Sequence, residues 1–133
     1  MTGLSRSYQP MILVVDDDPD VLATTAHMLD VRGFRVVAVP DKAAALAACQ
    51  QVEGRIDALV ADLSLPGDPP GEMARSVAAA YPQVKIVYVT GIPRHVAIGS
   101  GLVRPDAPYL EKPVDPEVLS SVLRGMLAHS AAP

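Results

Sequence analysis

Three consecutive carboxylates, Asp16-Asp17-Asp18, close one short apolar run, and a fourth, Asp62, closes another. A hydroxyl, Thr90, ends a third run, and Lys112-Pro113 follows a fourth. Carboxylates gathered in one place repel one another unless a cation or proton neutralises them. A few carboxylates with carbonyls and water suit Mg²⁺, with Mn²⁺ as the alternative, because such an ion keeps waters and takes phosphate oxygens. The Lys112 ammonium is a point charge suited to a phosphoryl oxygen, and the Thr90 hydroxyl can donate to another. A carboxylate can itself attack phosphorus. Together these parts make an aspartate that accepts a phosphoryl group.

Singly, each residue has a plainer reading. Three aspartates can be a solvated helix start, and Asp62 before a proline-rich stretch can be a turn former. Thr90 favours strands on its own account, and Lys112-Pro113 is an ordinary strand end. Only a fold that brings the strand ends to one edge makes them a site.

The pattern of the chain predicts that fold. Met11 to Val15 is a continuous apolar run, which suits a strand buried on both faces of a parallel sheet. Asp18-Pro19-Asp20 reads as N-cap, proline in the first turn and an early acid. Leu22, Ala26 and Leu29 follow at helical spacing, and Gly33 ends that helix. Phe34 to Val39 reads as a second strand, and Asp41 caps an alanine-rich helix running to about Val52. Ala58 to Ala61 is a third strand, and Leu63 to Gly71, with three prolines and two glycines, is a loop. Met73, Val77 and Ala80 mark a helix stopped by Pro82, and Val84 to Val89 a fourth strand. Pro93, Gly99, Gly101 and Pro105 leave residues 92–107 room for about two helical turns. Pro108 to Leu110 is a brief fifth strand. Asp115-Pro116-Glu117 then repeats the capping pattern ahead of an apolar stripe: Val118, Leu119, Val122, Leu123, Met126 and Leu127. Strands alternating with helices through short connections give a parallel sheet covered on both faces. Functional groups then collect beyond the carboxyl ends of the strands.

Composition narrows the classes. The chain has 133 residues, half of them hydrophobic and a fifth charged, which fits one packed domain. Residues 1–10 read as a loose arm, 11–129 as the domain and 130–133 as a tail, with no room for an attached catalytic or DNA-binding module. The net charge of −4 with no basic run argues against nucleic acid. Four tyrosines and Phe34 offer no stacking platform for bases. Cys49 has no cysteine partner for a disulfide or a zinc site and reads as a buried small residue. His27, His95 and His129 lack metal-ligand spacing, and His27 falls off the apolar stripe. The longest apolar run near the N-terminus is five residues, so neither signal peptide nor membrane span is expected, and the location is expected to be cytoplasmic.

Four motifs in order resemble the receiver domain of two-component response regulators. They are Val14-Val15-Asp16-Asp17, Asp62 in Asp-Leu-Ser-Leu-Pro-Gly, Val89-Thr90-Gly91, and Tyr109-Leu-Glu-Lys112-Pro113. The resemblance runs from about Met11 to Leu127. It implies an α/β, flavodoxin-like (βα)5 three-layer sandwich with five parallel strands in the order 2-1-3-4-5. It implies that Asp62 is the phosphoacceptor and Lys112 the phosphoryl-binding lysine. Asp17 and Asp62 would ligate Mg²⁺ directly, with the backbone carbonyl of Ser64, and Asp16 would act mainly through water. Thr90 would be the switch hydroxyl and Tyr109 the switch aromatic, although Tyr109 can equally serve to cover the sheet edge. A cis bond before Pro113 is also implied. Asp18 departs from the metal set and reads as the helix cap alone. The short, broken fourth helix looks most like receivers attached to hybrid sensor histidine kinases.

The expected role is that of a phosphoacceptor in a phosphorelay, not a free-standing enzyme, which assists its own phosphorylation and dephosphorylation. A histidine kinase or histidine phosphotransfer protein is its expected partner, and a monomer its expected state. Two other classes stay in view. One is a receiver-like interaction module not regulated by phosphorylation, against which the complete residue set argues. The other is a small haloacid dehalogenase-like phosphatase built on the Asp-x-Asp spacing of Asp16-Asp17-Asp18, which leaves Asp62 unexplained. A dinucleotide binder is disfavoured because no Gly-x-Gly-x-x-Gly follows the first strand.

Overall fold

The computed structural model describes residues 9–131. Five strands alternate with five helices: β1 (Met11–Val15), α1 (Pro19–Asp30), β2 (Arg35–Val39), α2 (Lys42–Gln51), β3 (Ala58–Ala61), α3 (Glu72–Ala80), β4 (Lys85–Thr90), α4 (Arg94–Gly99), β5 (Tyr109–Glu111) and α5 (Pro116–Ala131). All pairings are parallel, and the sheet runs β2-β1-β3-β4-β5. This is the order that the receiver resemblance implied.

Successive strand residues face opposite sides of a sheet, so a strand covered on both sides must be apolar throughout. In β1, Ile12 and Val14 join the core formed with Leu29 of α1 and Leu119 and Leu123 of α5. Leu13 and Val15 join the opposite core, with Cys49 of α2 and Met73 and Val77 of α3. β3 divides in the same way. Cys49 is fully buried, as its surroundings predicted.

Capping fixes where three of the helices start. Asp18 Oδ1 accepts from the N–H groups of Asp20 and Val21 at 2.9 and 3.3 Å. Asp115 Oδ1 repeats the arrangement at α5 with Glu117 and Val118, at 2.8 and 3.3 Å. Asp41 Oδ1 accepts from Ala44 N–H at 2.8 Å. Such caps are each worth about 1 kcal/mol. Gly33 takes a positive φ of 93° just beyond α1, where the chain reverses toward β2.

Several boundaries and faces differ from the sequence reading. β2, β4 and β5 each begin one residue later than expected, and β4 and β5 each also end one residue later. Register explains the shift at β5, since Tyr109, Leu110 and Glu111 pair with Tyr88, Val89 and Thr90. Pro10 belongs to the domain and not to a loose arm: it is buried and its carbonyl accepts from Arg35 N–H at 2.9 Å. α5 continues to Ala131, so the tail does not begin at residue 130. Residues 1–8 of the arm and 132–133 of the tail lie outside the described residues. On α1 the buried positions are Thr25 and Leu29, with Leu22 and Ala26 only half-buried. Val118 is not part of the α5 stripe; it is 46% exposed, whereas Leu119 is fully buried. Val118 lies about 100° round the helix from Leu119, which turns its side chain away from the core that Leu119 enters.

Leu119→Ala should cost about 2–5 kcal/mol of stability, as for other buried leucines. Val118→Ala should stay within about 0.5 kcal/mol of the parent. Urea unfolding followed by far-UV circular dichroism measures both, and equal losses would reject the assignment of faces.

Candidate functional site

The parallel order brings the carboxyl ends of β1, β3, β4 and β5 to one edge, and each delivers one element of the site. Asp16 and Asp62 follow β1 and β3 directly, their N–H groups still bonded to the neighbouring strands' carbonyls, Val39 O at 3.2 Å and Val15 O at 3.3 Å. The ladder therefore positions both residues before their side chains make any contact.

Lys112 bridges the two carboxylates. Its Nζ lies 2.6 Å from Asp16 Oδ2 and 2.7 Å from Asp62 Oδ2. The remaining oxygens are held alike: Asp16 Oδ1 accepts from Asp18 N–H and Asp62 Oδ1 from Ser64 N–H, both at 2.9 Å. In each case the aspartate bonds its own chain two residues on, the habit that makes this residue a turn former. The two side chains are only 7% and 6% exposed. Burial alone would lower the Lys112 pKa, but the hydrogen bonds to Asp16 and Asp62 outweigh it and raise it above the ordinary lysine value. The stability this ammonium contributes is therefore complete below the ordinary lysine pKa of about 10.4 and fades only as pH rises through the higher folded value.

Asp17 is exposed beside this pair. Carboxylate oxygens of Asp16, Asp17 and Asp62 all lie within 4.8 Å of one another. Three carboxylates facing one ammonium leave a surplus of negative charge, and an all-oxygen donor set with water access fits Mg²⁺. Ser64 is exposed in the turn after Asp62. Asp18 stands outside this group and serves as the α1 cap, as expected. Asp18 Oδ1 is committed to the α1 cap, which counts against an Asp-x-Asp phosphatase site. His27 and His95 are exposed, and the side chain of His129 lies outside the described residues.

Thr90 is fully buried, and its Oγ1 accepts from Ile92 N–H at 3.4 Å. Tyr109 is 8% exposed and donates its hydroxyl to Ile92 O at 2.6 Å. The two residues expected to switch thus hold the two sides of one residue, Ile92. Tyr109 also packs with Leu63, Ala97 and Val103 and meets the Tyr88 ring at 6.3 Å between centroids. Burial, then the charges of Glu111 and Asp62, raise the Tyr109 pKa against the opposing pull of Arg94. The phenol therefore stays protonated and able to donate. The Lys112–Pro113 bond is cis, as the resemblance implied.

Two features were not read from the sequence. A cleft of about 490 Å³ runs from Asp62 and Lys112 between α1 and the chain after β5, walled by Thr25, Met28 and Val114. Paired threonines among the apolar positions of α1 were its one sequence signal. The second is Glu111, whose Oε2 accepts from Arg94 N–H at 3.0 Å. Its only signal was its place two residues after Tyr109, on the same strand face.

Residues 12–124 match the family model described as response regulator receiver domain. The chain is 34% identical over 116 residues to the DNA-binding response regulator MtrA of Mycolicibacterium smegmatis, covering 87% of this chain and 50% of that protein. It is 46% identical over 57 residues to the transcriptional regulatory protein PrrA of Mycobacterium tuberculosis, covering 43% of this chain and 24% of that protein. The chain thus spans half or less of these relatives. They give no support to the expected likeness to receivers of hybrid sensor kinases. Among solved structures, a response regulator receiver protein from Sinorhizobium medicae aligns with TM-score 0.79 and 26% identity over 93% of this chain and 98% of that one. A CheY-like receiver domain protein from Methanospirillum hungatei aligns with TM-score 0.77 and 26% identity over 92% and 97%. With its strand order, its acidic edge and its match along most of its length, the chain belongs to the receiver domains of two-component response regulators.

Proposed function

We propose that Asp62 accepts a phosphoryl group from the phosphohistidine of a histidine kinase or histidine phosphotransfer protein. The observation that carries this reading is the Lys112 ammonium held between Asp16 and Asp62 at the sheet edge. Asp17, Asp62 and the Ser64 carbonyl would hold Mg²⁺, with Asp16 reaching it through water. When bound, the ion supplies positive charge against the oxygens of the incoming group.

The chain's own residues do the rest. An Asp62 oxygen forms the bond to phosphorus while the phosphorus–nitrogen bond of the donor imidazole breaks, and the nitrogen keeps the electron pair. Ser64 N–H and Lys112 hold the carboxylate in a fixed orientation. Lys112 then exchanges a carboxylate oxygen for a phosphoryl oxygen, already placed to meet the charge that arrives. Thr90 exchanges its 3.4 Å contact with Ile92 for a bond to the phosphoryl group. Tyr109 is already packed inward, so the response consists of a shift in the chain at residues 92–107 rather than an inward swing of the ring.

On this reading the domain is a phosphoacceptor that assists its own phosphorylation and dephosphorylation. It signals by transient docking as a monomer and makes no contact of its own with nucleic acid or membrane. No helix among the described residues is long and apolar enough to cross a membrane. A cytoplasmic location goes with this reading.

Mg²⁺ with acetyl phosphate should add one phosphoryl group, seen by intact mass, and Asp62→Asn should abolish it. An adduct persisting on that variant would move the acceptor elsewhere. Asp17→Asn should weaken Mg²⁺ binding at least about tenfold, or about 1.4 kcal/mol. Calorimetry reads this in a chain without tryptophan, and equal affinities would reject Asp17 as a ligand. Lys112→Met should move two quantities in opposite directions. Loss of the ammonium leaves the carboxylates more negative, so Mg²⁺ should bind about threefold more tightly or better. Phosphorylation should slow by about tenfold or more, because the charge met during transfer is gone. A variant with unchanged metal affinity would show that Lys112 does not neutralise the acidic group.

A further inference from the structure

The chain between β4 and α4 is gripped from two neighbouring strands. Thr90 and Glu111 are register partners, as are Tyr88 and Tyr109. Partners in a parallel pair share a face, and residues two apart on one strand do too. The four side chains therefore form one patch. From it, Thr90 holds Ile92 N–H, Tyr109 holds Ile92 O, and Glu111 Oε2 holds Arg94 N–H at 3.0 Å.

α4 has no cap of its own. Pro93 occupies the cap position and supplies no side-chain acceptor. The helix is six residues long, and Gly99 and Gly101 border its end. A segment this short forms only when something outside it satisfies its first N–H groups and fixes its start. Glu111 does this from β5 for the first of them, Arg94 N–H. Arg94 closes the other side of the segment, its guanidinium donating to Pro105 O at 2.8 Å.

Glu111 is also the residue before Lys112, whose own N–H bonds Thr90 O at 2.9 Å and whose Nζ holds Asp16 and Asp62. We propose that Glu111 is a positioning residue that caps α4 from β5 and carries the state of Lys112 to that helix. It would form a second link beside the one through Thr90 and Tyr109. The proposal rests on Asp62 being the phosphoacceptor. When Lys112 exchanges a carboxylate oxygen for a phosphoryl oxygen, residue 112 shifts. Its neighbour Glu111 moves the α4 start with it.

Amide hydrogen exchange over residues 92–103 tests this in the full chain, with and without Mg²⁺ and acetyl phosphate, and with intact mass read on every sample. Without phosphodonor, Glu111→Ala should exchange about tenfold faster than the parent in this segment. β4 and the core helices should be unchanged. Glu111→Gln keeps the acceptor oxygen and should match the parent. On phosphorylation, the parent and Glu111→Gln should change exchange in this segment, while Glu111→Ala, fully phosphorylated by mass, should change by less than half as much. Parent-like exchange in unphosphorylated Glu111→Ala would overturn the cap. A full response in phosphorylated Glu111→Ala would overturn the link. Absence of the mass adduct in the parent would overturn the phosphoacceptor reading, and the link with it, while the samples without phosphodonor still decide the cap.

Discussion

One ammonium holds two buried carboxylates that would otherwise repel. Asp16 and Asp62 end adjacent strands, almost sealed from water, and Lys112 reaches both at hydrogen-bond distance. Removing one partner from such an arrangement leaves an uncompensated buried charge, which is among the more costly defects a fold can carry. The site therefore needs β1, β3 and β5 in place at once, although β5 is separated from β3 by β4 in the sheet. An arrangement needed by three strands in this way ties the chemistry to the integrity of the sheet.

The strand ends can be so polar because the strands are so apolar. Both faces of β1 and β3 are covered by helices, so every polar group is driven to the ends of the strands, where water and partners can reach. The helix caps extend the same economy of residues. Asp18, next to Asp17, stays out of the cluster of Asp16, Asp17 and Asp62 because its side chain caps α1. The three adjacent aspartates thus take three different roles: Asp16 bound to Lys112, Asp17 open to solvent and Asp18 bound to backbone.

The opposite side of the same edge is built differently. Around Thr90 and Tyr109 the chain is held by single hydrogen bonds to main-chain groups, and α4 contributes one fully buried residue, Ala97, with Ile98 half-buried beside it. Segments with few buried contacts open at low cost. The site thus joins a half braced by paired charges to a half held by single hydrogen bonds.

The sequence by itself was enough for the element order, the helix caps and the candidate charged residues, because each rests on local chemistry. Apolar runs of four to six residues, Asp-Pro pairs and glycine breaks act within a few positions of themselves. The strand order came from the resemblance. What the sequence could not determine was which neighbours a side chain finds across the sheet. Val118 and Leu119 are both apolar and adjacent, and only the approach of α1 and the sheet to α5 separates exposed from buried. The β5 boundaries followed its register with β4, which no local signal states. Glu111 looks like any strand-end glutamate until β4 lies beside it and brings Arg94 N–H within 3.0 Å. Tyr109 is buried among residues from three other segments, a setting that its own neighbours in the chain do not state. Contacts between residues distant in the chain depend on how layers stack, and that information exists only once the sheet and its helices have assembled.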